Sequence, residues 1–248
     1  MLYLFILKEE GEDAMMQYTI NRRAVSLFPA NTKAPCVWLN NFSQEAEEVW
    51  NTCRELKTPP FTLAAIQIDD WNGALSPWPA KAVFKGKQDF AGQADAYIQE
   101  LTGNIIPEIT ELLPEKPQYH AIAGYSMAGL FAVYALYRTQ VFFRAASASG
   151  SLWYPGFLEY TQSHELAANP EAVYLSLGDR ERRTKNPIMA TVEERTEVLY
   201  QLFSNQQIPA IFELNPGNHF QDHALRMAKG IQWILKQGNR NDPPMSEG

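Results

Sequence analysis

The chain has 248 residues, of which 46% are hydrophobic and 20% charged, a globular composition that excludes disorder and low complexity and suits one domain with its own core. With 28 acidic and 21 basic residues the formal charge is −7, which repels phosphate backbones and argues against a nucleic-acid partner. Two cysteines cannot build a disulfide framework, and both are expected as buried, inert thiols.

The chain opens on an apolar run at 1–7 with no basic residue before it and no small-residue cleavage site after it, which reads as a strand and not as a signal peptide. No segment approaches the ~18 apolar residues of a membrane span, so a cytoplasmic protein without membrane contact is expected. After β-rich stretches at 2–8 and 17–30, apolar runs at 36–41, 61–68, 120–124, 143–148, 172–178 and 210–214 alternate with segments of helical period. Such alternation predicts an α/β fold: a doubly wound, mostly parallel sheet with an antiparallel N-terminal β edge. Helices are expected near 44–56, 90–112 with Pro107 kinking or splitting it, 127–138, 191–205 and 220–236. The last is the cleanest, because Phe220, Ala224, Met227, Ile231 and Ile234 recur at steps of four and three. The segment 69–87 carries Trp71, Gly73, Pro77, Trp78 and Pro79 without any period and reads as a long loop of the kind that often carries function. All of 1–248 is expected as a single domain, with the polar end 238–248 a frayed tail.

The informative motif is Gly124-Tyr125-Ser126-Met127-Ala128-Gly129, which closes one expected strand and opens the next expected helix. A sharp strand-to-helix turn of this kind lifts a serine hydroxyl above the sheet, provided that its neighbours two residues either side are small. Gly124 and Ala128 meet that need. The Met127 amide, at the helix N-terminus, then points to where an oxyanion forms.

A serine hydroxyl is a poor nucleophile unless a base takes its proton, so a histidine is required late in the chain, after a terminal strand. Of the four histidines, His219 stands in such a loop, with His223 one helical turn beyond as the alternative. An acid that fixes the imidazole belongs between serine and histidine, and the strand at 172–177 ends in Gly178-Asp179-Arg180-Glu181. Three readings stand open: Glu181 turns back to the site, Asp179 does so, or a serine–histidine pair works without an acid. In the first reading Asp179 braces the turn.

At these residues the sequence resembles the esterase-D and enterochelin-esterase branch of the α/β-hydrolase superfamily. The resemblance runs from Cys36 onward and rests on Gly-x-Ser-Met at 124–127, Ser149-Gly150-Ser151-Leu152-Trp153-Tyr154, Gly-x-x-Glu at 178–181 and Gly217-Asn218-His219. It implies an α/β-hydrolase fold and, at the turn Leu39-Asn40-Asn41-Phe42, a second oxyanion amide on Phe42 beside that of Met127. Asn41, Ala128 and Asn218 stand where that branch carries glycine, and asparagine tolerates left-handed backbone better than most residues.

Trp71, Trp78 and Trp153 fall in loops after strands and are the candidates for an aromatic acyl or aryl pocket, while Arg180, Arg182, Arg183 and Lys185 form a basic run suited to an anionic substrate. The expectation is a serine carboxylesterase acting on a small-molecule ester. Ser126, His219 and Glu181 are its catalytic residues, and the Met127 and Phe42 amides form its oxyanion hole. Acyl transfer to an alcohol, as in related mycolyltransferases, siderophore trilactone hydrolysis and a catalytically silent binding protein are the alternatives. No metal or other cofactor is expected, since there is no phosphate loop, no dinucleotide glycine motif and no Cys/His ligand spacing.

Overall fold

The computed structural model describes residues 3–6, 15–42 and 45–238. Three antiparallel strands, β1 (Tyr3–Ile6), β2 (Met16–Ile20) and β3 (Arg23–Phe28), form one edge of a nine-stranded sheet. The β2–β3 hairpin turns on Asn21 and Arg22, both at positive φ (49° and 69°), the backbone of a two-residue turn whose twist matches the strands. Six parallel strands complete the sheet: β4 (Cys36–Asn41), β5 (Thr62–Gln67), β8 (His120–Tyr125), β9 (Phe142–Ala148), β10 (Ala172–Gly178) and β11 (Ala210–Asn215). A small hairpin, β6 (Pro79–Ala80) with β7 (Phe90–Ala91), stands apart from it.

The strand order is β1-β2-β3-β5-β4-β8-β9-β10-β11. From β4 the chain steps outward to β5 and then returns across β4 to β8, so the winding reverses between β4 and β8. In open α/β sheets the crevice at the C-terminal ends of such a pair is where ligands bind. Phe42 follows β4 there and Ser126 follows β8.

Helices cover both faces. α1 (Glu45–Glu55) and α8 (His223–Lys236) pack Val49, Cys53, Met227 and Ile231 against one face, joined by Val37 and Leu39 of β4. The other face takes Cys36 and Trp38 of the same strand, as the two-residue period of a strand requires, together with α5 (Met127–Arg138), α3 (Ala94–Glu100), α4 (Ile106–Leu112) and α7 (Val192–Asn205). Every residue of α5 from Met127 to Tyr137 is buried, which is what a helix apolar on all sides demands. No described helix is long and apolar enough to cross a membrane.

Several elements differ from expectation. Between α3 and α4 the helix widens into a π turn at Leu101–Ile105, where the Ile106 amide donates to the Leu101 carbonyl, and Pro107 then sits in the first turn of α4, where its missing N–H costs nothing. The last helix begins at His223 and not at 220: Asp222 adopts left-handed backbone, so Phe220 stays in the preceding loop, 78% exposed. Within 69–87 the chain forms a one-turn helix, α2 (Trp71–Ala74), and half of the small hairpin. The sequence reading also lacks α6 (Phe157–Ser163), only seven residues long and entered from Gly156 at φ 78°. Cys36 and Cys53 are buried and unpaired, and burial pushes the Cys53 thiol up to about 12. The strand expected over 1–7 is described as β1 alone, and the tail expected at 238–248 lies outside the described residues beyond Gly238.

Candidate active site

Ser126 occupies the turn from β8 into α5 at φ 57°, ψ −120°, a conformation costly for any residue with a side chain. Three backbone bonds hold it: its amide donates to the Ala148 carbonyl at 3.1 Å, and its carbonyl accepts from Leu130 at 3.0 Å and Ser151 at 2.9 Å. A Cβ on Gly124 would lie 2.2 Å from the Ala128 carbonyl oxygen, so the strand meets the helix only because position 124 has no side chain. Although Ser126 stands at the helix N-cap, its hydroxyl makes no capping bond. It lies instead 3.1 Å from His219 Nε2 and 3.3 Å from Ser151 Oγ.

His219 comes from the loop after β11. Its Nδ1 lies 2.7 Å from Glu181 Oε2, its carbonyl accepts from the Tyr125 hydroxyl at 2.8 Å, and its ring is tilted against Tyr125 at 5.4 Å. The other histidines lie elsewhere. His120 accepts from the Trp38 indole in the core, His164 stacks on Tyr160, and His223 lies edge-on to Tyr125 from the start of α8.

The two acids after β10 divide. The Asp179 carboxylate accepts from the Gly217 amide at 2.9 Å and so ties the β10 turn to the His219 loop. Glu181 turns back beneath the imidazole. The loops can approach this closely because Gly178 has no side chain: a Cβ there would lie 2.4 Å from the Gly217 carbonyl oxygen. Glu181 Oε1 accepts from Ser149 Oγ at 2.7 Å, the Gly178 amide at 2.6 Å and Arg226 Nη1 at 3.1 Å. Burial alone would raise this carboxyl, but the hydrogen bond and charge of His219, with the Gly178 and Ser149 donors, outweigh it and hold the group below the usual carboxylate range.

Ser126, Met127, Glu181 and His219 open into a cavity of about 800 Å³ walled by Trp71, Phe90 and Trp153 and edged by Phe84 and Phe220. Phe42 stands 59% exposed with its ring edge-on to Trp71 at 5.7 Å. Trp78 does not reach the cavity, contrary to expectation: its indole donates to the Pro155 carbonyl and its ring packs among Tyr134, Tyr154, Phe157 and Tyr160. The basic run also splits. Arg180 and Arg183 line the cavity along with Lys87, whereas Arg182 pairs with Glu193 at 3.3 Å.

Sequence reasoning missed Arg226 and the role of Ser149. Arg226 lies on α8 beside Met227 of the apolar stripe and carries a charge at 1% exposure. Its signal in the sequence is faint: one of two cations, with Lys229, between Ala224 and Gly230 of the helix.

Comparison with known proteins agrees with this architecture. The uncharacterised protein YbbA of Bacillus subtilis strain 168 is 24% identical over 201 residues, which cover 78% of this chain and 80% of its own. Solved structures share the fold, among them these two. The siderophore hydrolase EstA of Aspergillus nidulans has a TM-score of 0.67 at 18% identity and covers 94% of each chain. The IroE-like serine hydrolase of Shewanella oneidensis has a TM-score of 0.72 at 13% identity and covers 86% of this chain and 76% of its own. The family described as "Putative esterase" matches residues 37–230, a span that takes in the site from Phe42 to Arg226, and the chain belongs to that esterase family as an ester-hydrolysing enzyme.

Proposed function

We propose that the protein is a serine carboxylesterase in which Ser126, His219 and Glu181 act as a triad. The observation that carries this reading is the unbroken run of contacts from Ser126 Oγ to His219 Nε2 at 3.1 Å and from His219 Nδ1 to Glu181 Oε2 at 2.7 Å, at the mouth of an apolar cavity. Ser126 Oγ attacks the ester carbonyl while His219 Nε2 takes its proton. The oxyanion of the tetrahedral intermediate rests on the Met127 and Phe42 amides, held there before the charge develops. His219 returns the proton to the leaving oxygen, the alcohol departs, and an acyl-Ser126 remains. Water then attacks by the same route in reverse roles, releasing the acid and restoring the hydroxyl. Ionised Glu181 keeps Nδ1–H pointing its way and stabilises the imidazolium that forms in each half-reaction.

The cavity walls favour an aromatic or other apolar acyl or alcohol group, and the Lys87, Arg180 and Arg183 side chains at its rim favour an ester that also carries negative charge. Hydrolysis of a siderophore trilactone is the second reading, drawn from the similar EstA structure together with this combination of aromatic wall and cationic rim. A panel of neutral alkyl, aryl and carboxylate-bearing esters plus one siderophore lactone, each with and without an added alcohol, separates these substrates and distinguishes water from alcohol as acceptor. A fluorophosphonate tests the nucleophile: mass spectrometry should place its adduct on Ser126 and find none in Ser126→Ala. An adduct on Ser149 or Ser151 overturns the assignment.

A further inference from the structure

Arg226 is more enclosed than any surface ion pair, and burying a guanidinium is costly unless its hydrogen bonds and charge are both met. Here the charge and the two terminal nitrogens are met by the site, while Nε is buried without a hydrogen-bond partner among the described residues. Nη1 donates to Glu181 Oε1 at 3.1 Å, to Ser149 Oγ at 3.0 Å and to the Tyr125 hydroxyl at 3.2 Å, and Nη2 donates to the Pro216 carbonyl at 2.9 Å. Two of these partners pass the contact on: Ser149 donates to the same Glu181 oxygen, and Tyr125 donates to the His219 carbonyl. One rigid guanidinium therefore fixes the side chain of the acid, the main chain of the histidine and the loop that carries it.

We propose that Arg226 is a positioning residue of the hydrolase: it holds Glu181 with Oε2 turned to His219, and its charge keeps the Glu181–His219 pair from taking a proton from solvent before serine supplies one. This rests on the triad reading given above. Arg226 is the one permanently charged group that contacts Glu181 among the described residues. Tyr125 faces the pair from β8, His223 packs edge-on behind the Tyr125 ring from α8, Asp179 is engaged with the Gly217 amide, and Arg180 and Arg183 stand at the cavity rim. Removing a positive charge beside two coupled groups makes the pair bind a proton more tightly, whichever of them carries it. Since the protonated pair cannot act as a base, the acid limb of the rate profile must move to higher pH.

The test is ester hydrolysis by the full chain across pH, with kcat and KM separated, for wild type, Arg226→Met, Arg226→Gln and Arg226→Lys. Arg226→Met should lower kcat roughly 10–100-fold, the range typical when a supporting partner of a functional ligand is lost. KM should stay within about twofold, because the arginine touches no substrate. The acid limb should rise by about two to three pH units, as expected for a unit charge removed from about 4–6 Å away at an effective dielectric near 20. Arg226→Lys keeps the charge and should keep the limb while losing part of kcat, since an ammonium cannot serve four acceptors with the geometry of the fork. Arg226→Gln removes the charge but keeps donors, and carries the test if the methionine variant does not fold. Folded neutral variants with the wild-type acid limb overturn the proposal, even if their kcat is reduced, because a merely structural arginine would behave so. Fluorophosphonate labelling separates the two readings: if wild type gives no Ser126 adduct, the triad reading fails, and if it does while the neutral variants match wild type, only the role of Arg226 fails.

Discussion

Strand β10 has a buried arginine–glutamate pair at each end, and only one of them leads anywhere. At its N-terminal end Arg144, 1% exposed, pairs with Glu171 at 3.0 Å, donates to the Ile234 and Gln237 carbonyls and lies 4.3 Å over the Tyr119 ring. At its C-terminal end Arg226, equally enclosed, pairs with Glu181. Both arginines bond backbone carbonyls and both hold one carboxylate. The difference is that Glu171 closes its cluster, whereas the second oxygen of Glu181 continues to His219 and from there to Ser126. Burial and pairing alone do not mark a functional arginine; what its partner does with the free oxygen decides, and the C-terminal ends of parallel strands are where an α/β sheet leaves that oxygen beside a crevice.

The comparison breaks most visibly in the acids. Glu181→Gln should lower kcat by about 10³–10⁴-fold, the loss expected when a triad imidazole is left without its carboxylate. Glu171→Gln should leave kcat near wild type. Asp179→Asn should fall between them and far nearer to wild type, because its carboxylate serves the Gly217 amide. Steady-state kinetics on the three variants decide, and equal losses at Glu171 and Glu181 would end the distinction between the two ends of the strand.

The arginines sharpen the contrast from the other side. Arg144→Met leaves Glu171 and two backbone carbonyls without their donor, so it should destabilise the fold by about 3–5 kcal/mol, the cost of breaking a buried pair. Denaturant titration measures that loss, and kcat per folded molecule should be unchanged. The pH dependence of stability gives a smaller effect with a definite sign. Glu181 is held below the ordinary carboxylate range, so its ionised form stabilises the fold in full above the unfolded value of about 4.3, and that contribution is lost as pH falls through the lower folded value. The stability advantage of wild type over Glu181→Gln should therefore shrink in acid; an advantage that grows below that range reverses the inference.

Most of the fold was legible because strand and helix periods are local properties. The runs at 36–41 and 172–178 are β4 and β10 to the residue, and the expected helix at 127–138 is α5. Ser126, His219 and Glu181 were legible from chain order and turn chemistry, and the structure brings them within hydrogen-bonding distance of one another while taking Asp179 into the turn. What failed depends on tertiary context. Phe220 kept the helical spacing of α8, yet one left-handed residue, Asp222, ends the helix before it. Trp78 shares a loop with Trp71, but a backbone carbonyl and a nest of rings draw it to the core. Arg226 carries no motif, since its meaning comes only from four partners scattered between Tyr125 and Pro216.

The smallest effect is expected at the cavity rim, where the charges are exposed. Arg180 is 52% exposed and pairs loosely with Asp179 at 3.7 Å, while Arg182, bonded to Glu193, points its charge elsewhere. Exposed ion pairs contribute about 0.2–1 kcal/mol, so Lys87→Gln or Arg183→Gln should raise KM for a carboxylate-bearing aryl ester by about 1.5- to 5-fold. Neutral esters of the same shape should show no change, because the aromatic wall of Trp71, Phe90 and Trp153 is untouched. Added salt should produce the same discrimination in wild type, since exposed charges are screened over about 8 Å at physiological ionic strength and over less as salt rises. Arg182→Gln is the internal control: it removes a neighbouring charge of the same run that does not line the cavity, and a KM effect as large as that of Arg183→Gln would mean that the run acts through its overall field and not through the side chains at the rim.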